Sequence, residues 1–515
     1  MKNLISENVS IENGIENLIY NNINACLKLK DLIFSSFGPF GKKKMLFNKE
    51  RKLTLTSETS TIFESLKFIH PSSKLITSYI FYQDKEFGDG SGLLFLLSCE
   101  ILEKSLYLIK KGFFTYQLIN CLKNIEKISL KILEQLAIYK IKDASNFNTI
   151  SSILSVSFFP LIQEQSYFIS PQVAYACIKI INEKNFKLSY DNIRVVKILG
   201  GDIKDTKTIA GSVLLKDSEN NIKNIEHAKI VIFISNFDFL EVETKKKMRI
   251  NKWEDILELE KIETRALEKK VYMLRNKGIN LVIASSFSEK SIYFLNKHQI
   301  MAIKINSKFD LQRIAKTTNS IVLTKFKVPD DDEIGYCKKV YVKSLETQKI
   351  TIFQQNFDQC ELCTILLRGN TNVILNNLEK CVFKGISLFK SIMRDERFVP
   401  GNGLTEYEIF LKLLEYSNKS INSEVFITYS ECFKNIHKYL INLQKDLRRE
   451  LTFESYFTYR ENVNLHSQNQ TLKKFPYQKS VKIWDHYSTK YWSIKNAFEC
   501  SSIILMIDQV IMSKE

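Results

Sequence analysis

In a chain of 515 residues with only 16 glycines, three glycines fall within five positions, at Gly88, Gly90 and Gly92. They alternate with Asp89 and Ser91, and the apolar run Leu93 to Leu97 follows at once. Glycine lets a backbone turn sharply and lets its amides approach a ligand. A helix that begins here offers unpaired N–H groups and a partial positive charge. Both suit phosphate oxygens. Asp89 would repel a bare phosphate, but it makes sense if Mg2+ lies between carboxylate and phosphate. The stretch therefore reads as a magnesium–nucleotide site, with a plain helix-capping turn as the alternative. It is not the phosphate loop that ends in Gly-Lys-Ser/Thr, because no such triplet follows.

The surroundings of this stretch are helical. Ile15, Leu18, Ile19, Ile23, Cys26, Leu27 and Leu29 recur mostly at helical spacing and predict a helix over 12–36. It stops at the turn Gly38-Pro39-Phe40-Gly41. Lys44 to Phe47 and Leu53 to Thr56 read as short strands. Ser57 is placed to cap the next helix, with Glu58 in its first turn. Pro71 suits the start of another helix, running to Gln83 and ending near Gly88. Two long helices are expected at 92–110 and 115–139, the second with a stripe of Leu118, Leu122, Ile125, Ile132 and Leu136.

The middle changes character. Ala228 to Ile234, Gly278 to Ala284, Met301 to Ile305 and Ser320 to Leu323 are short apolar or β-branched runs separated by helical segments, including the charged 252–276. That alternation argues for an α/β domain between about 207 and 345. A strand Cys363 to Gly369, a helix 371–394 and a second glycine turn, Pro400-Gly401-Asn402-Gly403, follow. Residues 404–515 read as helical again. Two helical ends around an α/β middle imply that the ends fold together with the middle inserted.

Composition limits what such a chain does. The N-terminus turns polar at once, and the most apolar run is broken by Glu100, Glu103 and Lys104, so no membrane role is expected. The ten cysteines lack paired spacing beyond Cys360-x-x-Cys363, which favours buried thiols in a reducing, cytosol-like compartment over zinc. A net charge of +17 invites a nucleic-acid partner. However, lysine is abundant together with Ile, Asn, Phe and Tyr, and is spread along the chain. That joint bias reads as drift in an AT-rich genome, and nucleic-acid binding is not expected.

Five motifs in order resemble the group II chaperonins, the double-ring protein-folding ATPases. Phe37-Gly38-Pro39-Phe40-Gly41-Lys42 is similar to the family's L-G-P-x-G phosphate loop. His70-Pro71-Ser72-Ser73-Lys74 resembles H-P-A-A-K, and Gly88-Asp89-Gly90-Ser91 resembles G-D-G-T. Cys363 to Gly369 is similar to C/S-T-I-L-L-R-G, and Asp395 to Glu406 to D-x-R-x-V-P-G-G-G-A-T-E. Asp191 to Gly200, Leu311-Gln312-Arg313, Lys490 to Lys495 and Ile507 to Met512 narrow the resemblance to the theta-type branch of the eukaryotic cytosolic chaperonins.

The resemblance implies a multidomain α and α/β chaperonin fold. A mainly helical equatorial domain would take 1–145 and 395–515, and a small α/β intermediate domain 146–206 and 346–394. An α/β apical domain with a helical protrusion would take 207–345. It implies a subunit of a hetero-oligomeric double ring that binds and hydrolyses ATP with Mg2+, drives lid closure and assists folding of cytosolic clients, actin- and tubulin-like ones among them. Gly38, Pro39 and Gly41 would hold phosphate, and Gly88, Gly90, Ser91 and Gly92 would wrap it. Asp89 would bind Mg2+. Asp395 would orient and deprotonate the attacking water, with Glu58 as a second catalytic acid. Gly401 and Gly403 would pass close to the ribose, and Asp485 would stand near ribose and adenine. Lys246 to Met273 fits the protrusion, with Ile256, Leu259, Ile262, Leu267 and Leu274 as apolar surface, and the helix near Glu289 to His298 would face the cavity.

Departures cluster around one pocket. Relatives carry Asn-Asp where Ser57-Glu58 stands, and a third glycine where Asn402 stands. A phosphate-sensing lysine aligns near Leu161, and 456–470, where an adenine loop is expected, holds no glycine. Either a glycine-poor chain has drifted and still turns over ATP slowly, or the subunit is structural with a degenerate site.

Overall fold

The computed structural model describes residues 9–12, 15–47, 53–68, 70–137, 139–141, 143, 145–181, 190–237, 253–346, 348–356, 362–418, 423–445 and 483–513. In chain order the elements begin with β1 (Val9–Glu12), α1 (Ile15–Phe34), β2 (Lys44–Phe47), β3 (Leu53–Thr56), α2 (Thr59–Ser65), α3 (Pro71–Phe87), α4 (Ser91–Lys110) and α5 (Thr115–Leu136). Next are β4 (Tyr139–Lys140), α6 (Phe147–Ile162), α7 (Ser166–Ile180), β5 (Ile193–Leu199), β6 (Lys207–Leu214), β7 (Asn224–Phe233), α8 (Trp253–Asn276), β8 (Leu281–Ala284), α9 (Glu289–Lys297) and β9 (Met301–Lys304). Then come α10 (Lys308–Thr318), β10 (Val322–Leu323), β11 (Gly335–Leu345), β12 (Gln348–Gln354), β13 (Cys363–Gly369) and α11 (Asn372–Arg394). The chain ends with β14 (Arg397–Pro400), α12 (Leu404–Ser417), α13 (Ser423–Lys445), β15 (Trp484–His486), α14 (Tyr487–Leu505) and β16 (Val510–Ser513). Two compact units result, one from Met1–Pro171 with Lys380–Glu515, the other from Gln172–Glu379.

In the first unit α4 is the central helix. Leu94, Phe95, Leu96, Leu97, Ile101, Leu102 and Leu108 are all fully buried, so neighbouring helices cover most of its first half. Its buried charge, Glu100, is 1% exposed and compensated. Lys30 Nζ lies 2.5 Å from its carboxylate, Asn435 Nδ2 donates at 2.8 Å, and the Tyr439 hydroxyl donates as well. The predicted stripe of α5 is buried at every position. That helix stops at Leu136, three residues early, because β4 begins at Tyr139 and pairs with Phe398 of β14. Among the described residues after 404, α12, α13 and α14 are helical as expected, whereas β15 and β16 are strands. β16 pairs antiparallel with β1, Val9 opposite Ser513.

In the second unit the described strands form a nine-stranded mixed sheet in the order β5-β13-β6-β12-β11-β7-β8-β9, with β10 on β7. Where they run parallel, β7 (from Ile230), β8 and β9 are largely apolar on both faces because both faces are covered. Ile230, Ile232, Leu281, Ile283, Met301 and Ile303 pack with Leu311 and Ile314 of α10. Val231, Phe233, Val282 and Ala302 pack with Val271 and Leu274 of α8 and Leu295 of α9. Of the apolar residues expected to form surface on α8, Leu274 is buried in this core and Leu267 is buried as well, whereas Ile262 is 60% exposed. The side chains of Ile256 and Leu259, and the start of the expected protrusion at Lys246, lie outside the described residues. Tyr293 on α9 is exposed.

Candidate functional site

Three glycine turns of the first unit come together. The first follows α1 and is closed by Gly41 N–H donating to the Gly38 carbonyl at 3.1 Å and Lys42 N–H to Ser35 at 2.8 Å. The second links α3 to α4. Gly88 ends α3 and Gly90 caps α4 without a side-chain hydrogen bond, which leaves the first N–H groups of α4 open to an anion. The third, Pro400 to Gly403, opens α12 in the same way. A Cβ on Gly92 would meet the Phe37 ring and Thr59 Oγ1, each at 3.1 Å, so the second turn touches the first. Gly38 and Gly403 both face Leu440, at 3.0 and 3.1 Å. Asn402 has φ +58°, the left-handed conformation that asparagine tolerates best among non-glycine residues.

The second turn is braced from α14. Gln83 Nε2 donates to the carbonyls of Asp89 and Thr489, both at 3.2 Å, and to Ser493 Oγ at 3.0 Å. Ser493 Oγ in turn donates to the Gly90 carbonyl at 3.1 Å. Gly90 has φ +83°, and a Cβ there would stand 2.3 Å from Ser493 Oγ and 3.0 Å from Thr489 Cγ2. Gly90→Ala is expected to lose about 2–3 kcal/mol, from the left-handed backbone and the overlap together. A urea-unfolding midpoint shift checks this.

The charges form three groups. In the first, Asp89 Oδ1 accepts the Gly90 N–H at 2.9 Å and lies 3.2 Å from Lys384 Nζ. Burial works against the Lys384 charge, but Asp89, Glu58 and Asp84 outweigh it and raise its pKa. Asp84 is pushed up to about 7 by burial, with Glu58 and Asp89 adding to the shift and Lys384 and a Ser60 hydrogen bond opposing it. Glu58 is the N-cap residue of α2, not part of its first turn, and its carboxylate accepts from Thr61 Oγ1 at 3.0 Å. Ser57 does not cap: its hydroxyl donates to the Pro160 carbonyl at 2.8 Å, a partner that only the tertiary fold supplies. Leu161, the residue after Pro160, is buried.

In the second group Lys490 Nζ bridges Glu406 at 2.8 Å and Asp485 at 2.9 Å. Burial raises the Asp485 pKa, Glu406 and Asp89 act in the same direction, and Lys490 opposes them. Asp485 therefore feels Asp89. A Cβ on Gly401 would stand 3.0 Å from Asp485 Oδ1, so the third turn passes close to this acid.

The third group holds Asp395. Arg397 grips it in bidentate fashion through Nε at 2.9 Å and Nη2 at 2.8 Å, and Ser488 Oγ donates at 3.0 Å. Burial pushes this carboxyl up, but these donors outweigh it and hold the pKa below the usual carboxylate value. His486 Nε2 contacts the Asp395 carbonyl at 2.7 Å, so that nitrogen carries the proton. Asp395 follows α11 eleven residues after Lys384, a rise of about 16 Å. The fold thus brings Glu58, Asp89, Asp485 and the three turns into one neighbourhood, while Asp395 is committed to other partners three helical turns from the Asp89 contact.

Sequence reasoning missed Asp84, Lys384, Lys490 and Glu406. Asp84 carries a faint signal, one turn before the glycines on α3. The magnesium expected at Asp89 meets a poor fit, because the carboxylate that would bind it already holds an ammonium. The adenine-loop region 456–470 lies outside the described residues.

The sequence profile described as the TCP-1/cpn60 chaperonin family matches residues 29–515. The T-complex protein 1 subunit theta of Dictyostelium discoideum is 29% identical over 507 residues, covering 97% of this chain and 94% of that one. The mouse (Mus musculus) protein of the same name is 29% identical over 508 residues, 97% and 92% of the two chains. The Arabidopsis thaliana protein of that name is 28% identical over 522 residues, 100% and 94%.

Proposed function

Since the chain belongs to the TCP-1/cpn60 chaperonin family, we propose that it works as a theta-type subunit of a hetero-oligomeric double-ring chaperonin. It is an ATP-dependent chaperonin that binds and hydrolyses ATP to assist protein folding. The observation that carries this is the family match across 29–515, which spans all three glycine turns. In this reading the phosphates rest on the amides of Gly38, Gly41, Gly90 and Gly92, with Pro39 and Gly88 setting the turns and the Ser91 hydroxyl beside them. Sugar and base lie by Gly401, Gly403 and Asp485. Asp395 acts as a strut that fixes the start of β14 through Arg397, because its carboxylate is saturated. The five-segment equatorial, intermediate and apical division belongs to the same reading, supported by the two chain ends sharing one unit. So does a reducing, cytosol-like compartment, supported by nine described cysteines that are buried thiols. No described helix is long and apolar enough to cross a membrane.

Ring neighbours have a surface to use. β2 and β3 form a two-stranded hairpin, marginal by itself, and on it Met45 and Phe47 are 61% and 68% exposed. Phe47→Asp is expected to reduce recovery in the assembled particle at least tenfold while moving the stability of the isolated chain by less than about 0.5 kcal/mol. Co-purification and thermal unfolding check the two halves. The function itself is tested by isolating the chain from its native source through an affinity tag. A double-ring particle of several different sibling chains, protected from protease by ATP, is expected; a lone 60.1 kDa chain would overturn the reading.

A further inference from the structure

The acid expected to hold magnesium is already ion-paired, and its partner is fixed from both ends. The Lys384 ammonium lies 3.2 Å from Asp89 Oδ1, and the lysine side chain is only 10% exposed. Its backbone is equally constrained. Gly88 has φ +69°, and a Cβ there would stand 2.5 Å from the Lys384 carbonyl oxygen, so α11 lies directly on the glycine turn. One turn earlier on the same face of α11, Lys380 Nζ donates to Thr61 Oγ1 of α2 at 3.0 Å. Thr61 is also the residue that donates to Glu58. The ammonium thus stands among Asp89, Asp84 and Glu58, beside the open N-terminus of α4.

Magnesium asks for oxygen donors at about 2.0–2.1 Å in near-octahedral array. An anchored ammonium on the same carboxylate disfavours it at Asp89, because two cations so placed repel. We infer that Lys384 is the resident cation of this nucleotide site: its ammonium takes the place at Asp89 that a divalent ion would occupy, and retains nucleotide phosphate without added metal. This rests on the nucleotide reading above. An ammonium has three donors, enough to bridge a carboxylate and a phosphate oxygen. It brings one positive charge where a divalent ion brings two, so it neutralises less of the charge that builds up on a transferred phosphoryl group. Nucleotide held here turns over slowly, and the subunit contributes occupancy to the ring more than hydrolysis.

The experiment photolabels the assembled particle with 8-azido-ATP in excess EDTA and in excess Mg2+. Label on this chain is counted separately from its siblings by mass spectrometry. Label on this chain is expected to differ less than twofold between the two conditions. In particles carrying Lys384→Met, label on this chain is expected to fall at least tenfold in EDTA and to become stimulated by Mg2+, while Lys384→Arg keeps the wild-type pattern. Loss of wild-type label by tenfold or more in EDTA would overturn the inference and leave the nucleotide reading standing. So would a Lys384→Met chain that labels like wild type in EDTA. No label on this chain in either condition overturns both. If Lys384→Met does not enter the particle, the wild-type comparison decides alone.

Discussion

Lys490→Met is expected to cost the unit that holds both chain ends about 3–5 kcal/mol. Lys490 and Glu406 are 8% and 3% exposed, and Lys490 also pairs with Asp485 at 2.9 Å. Methionine keeps most of the volume but removes the ammonium that pairs with both carboxylates at once. A buried carboxylate left without its partner loses its Coulomb energy and keeps its desolvation penalty, which is why breaking such a pair is far costlier than never having built it. Burial works against the ammonium itself, but Asp485 and Glu406 raise its pKa, so Lys490 is charged at neutral pH. The midpoint of urea unfolding reads the loss. The double substitution Lys490→Met with Glu406→Leu supplies the contrast. With the most buried acid gone as well, more than half of the loss is expected to return. A single variant as stable as wild type would show that water, not Lys490, compensates these acids.

Acid pH is expected to stabilise the nucleotide-free protein through Asp84. Its carboxyl moves from an ordinary 3.8 to about 7 in the folded state, because burial and the neighbouring Glu58 and Asp89 disfavour its charge. The sign follows from proton counting. Between these two values the folded state keeps a proton that the unfolded chain has released, so stability falls as pH rises from about 4 and levels off above about 7. At about 1.4 kcal/mol per pKa unit the full contribution is on the order of 4 kcal/mol. Other groups titrate over the same range, so the difference between wild type and the isosteric Asp84→Asn carries the test. In EDTA, Asp84→Asn is expected to be level with wild type near pH 4 and more stable by about 3–4 kcal/mol at pH 8. Equal pH profiles for the two proteins would place the Asp84 carboxyl in water.

Much of the local structure was legible in the residues. β2, β3 and β13 start and end where their composition places them, and α3 begins at Pro71 and ends at Gly88. These elements are set by short-range causes: alternation, a proline that fits a first helical turn, a glycine that ends one. Where long-range pairing decided, the reading was off. α5 is shorter than its apolar stripe because β4 is drawn to β14, and β15 and β16 are strands because β14 and β1 lie opposite them. Ser57 has the chemistry of a cap, but Pro160 takes its hydroxyl.

The site divides along the same line. The amino-acid sequence by itself determined the glycine turns, the acid between them, the insertion of an α/β middle between helical ends, and the family. Each is written in residues adjacent in the chain. Only the tertiary structure decided which charges meet. Asp89 and Lys384, Asp84 and Glu58, Lys490 and Glu406 are far apart or on different elements, and no periodicity reports their approach. Asp395 shows the converse: its motif context suggested chemistry, and its neighbour Arg397 claimed the carboxylate. Coulomb energy depends on distance and on the water removed between two groups, and both are properties of the folded chain.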